Sequence, residues 1–258
     1  FLRSTNRSME AIQGDVVVLQ YDKLVAGEDL SDQIEMAFSV DGLGVLTVEG
    51  VPGLEEARNG LLPLAREFAN LPDDIKDKYV HAESYYSFGW SHGKEKLDGN
   101  FDLSKGSYYA NPQHDRPVDD EDLIAKFPAF LHPNIWPSED FPALEPAFKR
   151  LGQLIVEVGI LVSKQCDSYV KKKCRTYSDN KLSNIIKTSL CCKARLLHYY
   201  DCSSSMSAAV TAGSERSEHD PFSSWCGWHN DHGSLTGLVS AMFIDGGGNQ
   251  VQNTDPDA

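Results

Sequence analysis

Trp225-Cys226-Gly227-Trp228-His229-Asn230-Asp231-His232-Gly233-Ser234-Leu235-Thr236 decides how the rest of this 258-residue chain is read. At its centre is a His-x-Asp pair, His229 and Asp231. In an extended strand, side chains two apart point to the same face, so this imidazole and this carboxylate converge on one point. Two of the three ligands of a 2-His-1-carboxylate facial triad holding non-haem Fe(II) have that relation. A bare pair carries little alone. With eight His in an acid-rich chain, composition produces one about as often as not. The surrounding sequence has to decide.

Immediately upstream, residues 201–224 are rich in Ser, Ala and Gly and read as a long loop. Before them, Cys192-Lys193-Ala194-Arg195-Leu196-Leu197-His198-Tyr199-Tyr200 has the length and aromatic content of a strand. Arg195, Leu197 and Tyr199 share one of its faces, and Ala194, Leu196, His198 and Tyr200 the other. Downstream, Leu238 to Asp245 reads as a strand. Gly246-Gly247-Gly248-Asn249 then turns the chain into another, beginning at Gln250-Val251. No Lys-Ser/Thr follows those glycines, so a hairpin turn is expected there and not a phosphate loop.

The N-terminal half opens strand-helix-strand-helix. Asp15 to Leu19 is a short apolar strand, and Ser31 is placed to cap a helix with the apolar stripe Ile34, Ala37, Phe38. A second strand, Leu43 to Val48, follows Asp41-Gly42. Leu54, Ala57, Leu61, Leu64, Ala65 and Phe68 then recur at helical spacing, with Pro63 expected to kink or split the helix. Leu71-Pro72-Asp73-Asp74 starts a further helical turn. Residues 81–140 show little periodicity. Their aromatics, including Tyr85, Tyr86, Phe88, Trp90, Tyr108 and Tyr109, read as anchors fixing an irregular segment onto a core. The strongest helix follows: Leu144, Phe148, Leu151, Ile155, Val158, Val162 and Cys166 alternate steps of four and three. It ends in Lys171-Lys172-Lys173, cations suited to a helix C-terminus. Thr176 to Asn184 reads as a polar linker.

Net charge is -14 at pH 7, which argues against a nucleic-acid partner or an anionic membrane surface. An anionic substrate is still open, since one local Arg can hold it. No apolar run approaches the roughly 18 residues of a membrane span. Six cysteines without C-x-x-C spacing do not make a disulfide framework and fit a reducing compartment. A cytoplasmic location is expected. Arg3, Ser4, Arg7 and Ser8, with no acid before Glu10, give a plastid-type transit peptide as the alternative.

Three places together resemble the isopenicillin-N-synthase-like branch of the Fe(II)/2-oxoglutarate-dependent oxygenases. Residues 15–79 look like its N-terminal dioxygenase segment, ending in Leu-Pro-x-x-x-Lys at Leu71, Pro72 and Lys76. Arg195 to Tyr200 is similar to its R-L-x-x-Y-P strand. Gly227 to Thr236 is similar to its G-x-H-x-D-x-G-x-L-T signature, including the Gly233 and Leu235-Thr236 that follow the ligand pair. The resemblance implies a mixed α and β chain with a double-stranded β-helix (jelly-roll) core, incomplete here, and helices packed on it. It implies His229 and Asp231 as Fe(II) ligands, and 2-oxoglutarate and O2 as cosubstrates. Tyr199 matches the tyrosine that touches the 2-oxoglutarate carboxylate, with Arg195 as a second cofactor-side residue. The reaction implied couples oxidative decarboxylation of 2-oxoglutarate to oxidation of a small organic substrate.

Two departures temper this. Leu197 and Tyr200 stand where the family often has Asn and Pro. The distal His and the Arg-x-Ser that clamps the far carboxylate are absent after Asp231, and His232 points to the wrong face. His198 and His219 do not occupy the distal position either. The expectation is therefore a C-terminally truncated homologue, inactive as this polypeptide, whose open strand edge favours self-association. Expected boundaries are 14–115 for the N-terminal segment, 116–185 for a connecting loop and long helix, and 186–258 for the first part of the β-helix domain. A non-catalytic binding or interaction domain is the alternative. A cupin-like metal enzyme without 2-oxoglutarate is the third.

Overall fold

A computed structural model describes residues 15–94, 96–97, 100–200, 231 and 233–251. The chain folds as two compact units, one from residues 1–52 and 158–187 and one from 53–157 and 188–258. Secondary structure is mixed α and β in both, as the sequence implied.

In the first unit, β1 (Val17–Gln20) pairs in parallel with β2 (Leu46–Glu49), Val17 opposite Leu46. A parallel pair needs a crossover, and α1 (Tyr21–Ala26) and α2 (Ser31–Phe38) supply it. Leu19, Leu24, Ile34 and Ala37 are buried. Ser31 is not the cap of α2. It is the first helical residue, and Asp29 accepts from both its backbone N–H (3.2 Å) and its hydroxyl (2.6 Å). A carboxylate two residues upstream outcompetes the serine, because it accepts several donors at once.

The long helix α7 (Leu144–Lys173) contributes its C-terminal part to this unit. There Gln165 holds the α1–α2 connection. Its Oε1 accepts from Leu30 N–H at 3.1 Å, and its Nε2 donates to the Glu28 carbonyl at 2.9 Å. The three lysines at its end do more than face a helix dipole: Lys171 pairs with Asp179 at 2.9 Å, Lys172 with Asp29, and Lys173 with Glu35 at 2.9 Å. The expected polar linker contains the start of α8 (Lys181–Thr188). Donors in its first turn are satisfied from another helix. Asp167, from α7, accepts from Leu182 N–H, Ser183 N–H, the Ser183 hydroxyl and the Tyr177 hydroxyl, all within 2.9 Å. A helix start specified by a distant side chain leaves no local signal.

The second unit is built on α3 (Leu54–Ala69). Pro63 does not split it; one 16-residue helix runs through. Its buried stripe of Ala57, Leu61, Ala65 and Phe68 packs with Leu144, Phe148 and Leu151 of α7. A short turn, α4 (Asp73–Lys76), and a 3-10 turn (Asp77–Tyr79) lead to the sheet. The segment that lacked periodicity contains β3 (Gly89–His92), the small hairpin β4 (Lys96–Leu97) with β5 (Asn100–Phe101), and β6 (Lys105–Ala110). Two short helices follow, α5 (Glu121–Lys126) and α6 (Pro128–Leu131). The acidic run at 119–122 serves α5: the Asp120 carboxylate accepts from Leu123 N–H as its N-cap. β7 (Ala194–Tyr199) completes an antiparallel sheet of order β3-β6-β7.

The aromatics of this stretch sort by face. Trp90, Tyr108 and Phe88 are at most 5% exposed, whereas Tyr85 is 76% exposed. Phe68 lies at the centre of the cluster, with ring centroids 5.3 Å from Trp90 and 5.1 Å from Tyr108. Gly106 keeps the Trp90 indole in place, since a Cβ there would come within 2.2 Å of the ring. Downstream, the expected strand from Leu238 shortens to β8 (Phe243–Ile244), which pairs with β9 (Gln250–Val251) across the glycine turn. Leu238 itself is 86% exposed. The double-stranded β-helix is not visible in these sheets; among the described residues they are small and separate.

Candidate functional site

The register of β3-β6-β7 divides the candidate residues. Ser91 lies opposite Ser107, and Ser107 opposite Leu197; Tyr109 is opposite Arg195, and Lys105 opposite Tyr199. With side chains alternating, one face carries Ser91, Lys105, Ser107, Tyr109, Arg195, Leu197 and Tyr199. The other carries Trp90, Tyr108, Ala110 and Leu196 into the core. Arg195 and Tyr199 thus share a polar face, as the alternation in the sequence predicts. His198 is on the opposite one, its ring 4.7 Å from Tyr200. Burial, then the nearby Arg66 and His92 charges, push the His198 imidazole below its ordinary pKa.

On the polar face, the Arg195 guanidinium donates from Nε and Nη2 to the Ser107 hydroxyl at 3.0 and 2.8 Å, and lies 5.0 Å from the Tyr109 ring centroid. Lys105 pairs with Asp102 at 3.0 Å. Burial raises the Asp102 pKa, but hydrogen bonds from Ser104 and Lys105 outweigh it and hold the carboxyl below its usual range. Ser91, Lys105 and Ser107 have no counterpart in the sequence reading. The alternation Lys105-Gly-Ser107-Tyr-Tyr109 was the available signal, masked by Gly and Ser, which lower strand propensity.

Asp231 is exposed, and its Oδ2 accepts from the Thr236 hydroxyl at 2.7 Å. The stretch after it is tied to α3: Arg58 donates to the Ser240 and Ala241 carbonyls at 2.8 and 2.6 Å, and Arg66 to the Gly246 carbonyl at 2.9 Å. His229, His219, His232 and the 201–224 loop lie outside the described residues. Among the described residues no group of three or more His, Cys, Asp or Glu side chains is arranged to hold a metal ion. Among them, too, no helix is long and apolar enough to cross a membrane.

Residues 15–139 match the family described as the non-haem dioxygenase in morphine synthesis N-terminal. That match takes in just under half of the chain. The matched segment takes in β1 to α6 and includes β3 and β6, two of the three strands that carry the polar face. A solved structure from Caulobacter crescentus, of a protein described as a member of the 2OG-Fe(II) oxygenase family, aligns at 20% identity with a TM-score of 0.45. The alignment covers 62% of this chain and 50% of that one, so the chain spans about half the length of that structure. No curated protein sequence matches this chain.

Proposed function

We propose that this chain is part of a non-haem Fe(II)- and 2-oxoglutarate-dependent oxygenase acting on a small organic substrate with O2, with a jelly-roll core. The observation that carries the reading is the dioxygenase N-terminal match over residues 15–139. The donor set fits: an imidazole from His229 and a carboxylate from Asp231 are two of the ligand types that suit Fe(II). The Asp231 carboxylate is oriented by Thr236, the last residue of the G-x-H-x-D-x-G-x-L-T pattern, as ligating carboxylates are by outer hydrogen bonds. When bound, iron with 2-oxoglutarate supplies the oxidising chemistry; the protein supplies binding and orientation.

Tyr199 is assigned to the cosubstrate. Its phenol can donate to a carboxylate oxygen, a charge-assisted hydrogen bond. Arg195 lies on the same face but four residues along the strand, about 13 Å away at 3.3 Å per residue. The two therefore serve different groups. Tyr199→Phe is expected to weaken 2-oxoglutarate binding to the Fe(II)-loaded protein about tenfold, the loss of one hydrogen bond to a charged group. Isothermal titration under argon measures this, and succinate release from 2-oxoglutarate in air tests turnover. Equal affinity in both proteins would remove Tyr199 from the site.

A further inference from the structure

The turn that leads from Tyr79 into β3 stores backbone strain. Tyr85 and Tyr86 follow one another with φ 54° and 58°, in the left-handed region that bulky side chains avoid. Such outliers persist only where surrounding contacts over-determine them. Here the contacts converge on His81. Its carbonyl accepts from the Tyr86 N–H at 3.2 Å and from the Ser84 hydroxyl at 3.0 Å, and its Nδ1 accepts from the Ser84 N–H at 3.1 Å. The Val80–Gly89 bridge closes the turn at its base.

The Nδ1 bond fixes the tautomer. A neutral imidazole that accepts at Nδ1 carries its proton on Nε2, which lies 3.5 Å from a Glu83 carboxylate oxygen. The ring stacks on His132 with centroids 3.9 Å apart, and His132 Nδ1 donates to the Pro133 carbonyl at 2.7 Å. Charged groups from several segments face this pair. Glu83 is on the turn itself, Arg116 comes from ahead of α5, and Lys193, just before β7, donates to the Ser87 carbonyl and lies over the Phe88 ring. Lys94 lies over the Tyr86 ring. Burial, with the His81 and Arg116 charges adding to it, pushes the His132 imidazole below its ordinary pKa.

A second proton on His81 can go only to Nδ1. There it converts the acceptor into a donor and sets it against the Ser84 N–H. Ser84 is 0% exposed, so its N–H reaches water only if the turn moves. The strain at Tyr85 and Tyr86 favours that movement. Imidazole is the side chain whose charge ordinarily changes between pH 5 and 8. We infer that His81 is an acid-sensitive latch, holding the strained 82–87 turn closed at neutral pH and releasing it on mild acidification. The latch does not depend on the oxygenase reading.

Hydrogen exchange of the whole chain at pH 7.5 and 5.5 tests this, read by NMR as protection factors so that the intrinsic effect of pH on exchange is removed. In wild type the Ser84 and Tyr86 amides should lose about tenfold in protection on acidification, while amides of α3 keep theirs. His81→Asn places an oxygen that does not titrate at the δ position, and should keep its protection at both pH values. His132→Phe retains a ring against His81 and should still show the loss. Tyr85→Gly relieves one strained residue and should raise protection at pH 5.5 severalfold, which keeps the test open if His81→Asn alters the fold. Unchanged protection in wild type, an equal loss in His81→Asn, disappearance of the loss in His132→Phe, or no rise in Tyr85→Gly overturns the latch.

Discussion

Gly89→Ala is expected to destabilise the second unit by about 3 kcal/mol or more, a large fraction of the roughly 5–15 kcal/mol by which folded proteins are ordinarily stable. Two independent costs add at this position. The backbone has φ +71°, the left-handed region where a Cβ costs about 1–2 kcal/mol. The new Cβ would also stand 2.1 Å from the Tyr79 carbonyl oxygen, a backbone atom with no rotamer to escape into. Relief requires β3 to move off the Tyr79–Val80 segment, which it meets through the Val80–Gly89 bridge. Because Ser91 is two residues further along β3, the polar face would be lost with it. Denaturant unfolding of wild type and Gly89→Ala measures the effect. A change below about 0.5 kcal/mol, the range of ordinary surface substitutions, would show that the strand is not held where described.

Asp167→Ala should cost about 2–4 kcal/mol, because it leaves four donors of the first unit without their acceptor. Those donors are two backbone N–H groups in the first turn of α8, the Ser183 hydroxyl and the Tyr177 hydroxyl. Asp167 is 4% exposed, so water cannot readily replace it. Its carboxyl also contributes a pH dependence. Burial raises its pKa, but the bonds from Ser183, Tyr177 and the Leu182 and Ser183 backbone more than compensate, and hold it below the usual carboxylate range. A folded-state pKa below the unfolded one, about 3.9, means that the unfolded chain takes up the proton first. The stabilisation is thus fully present above about pH 5 and is lost as pH falls through 3.9 and then through the folded value. Melting temperatures between pH 7 and pH 3 should fall less steeply in Asp167→Ala than in wild type. Parallel slopes would contradict the assignment.

What the sequence made legible follows from how local each cause is. The α7 stripe from Leu144 to Cys166 and the α3 stripe from Ala57 to Phe68 were readable because burial at helical spacing is written in consecutive residues. The alternation Arg195-Leu-Leu-His-Tyr199 gave β7 and the sharing of a face by Arg195 and Tyr199. The strands β3 and β6 were not legible, because their pairing depends on Gly89 and Gly106 at points of close approach, and glycine lowers strand propensity. The start of α8 was hidden for a different reason: its cap is Asp167, fourteen residues earlier and on another helix. Ser31 misled, because Asp29 nearby is the better acceptor. The candidate iron site was read from a signature of residue types. Its outer bond from Thr236 to Asp231 was visible in sequence only as one more position of that pattern.

His229 and Asp231 carry the central claim, and anaerobic Fe(II) titration of the wild-type chain against His229→Ala and Asp231→Ala tests it most directly. Quenching of the indoles at Trp225 and Trp228, beside the pair in sequence, provides the readout. Wild type is predicted to bind one Fe(II) per chain, and each variant to bind it about a hundredfold more weakly or not at all, since removal of a ligand costs more than the 10–100-fold typical of an outer partner. Fe(II) binding of equal strength in all three proteins, or none in wild type, would contradict the assignment of this pair to the metal.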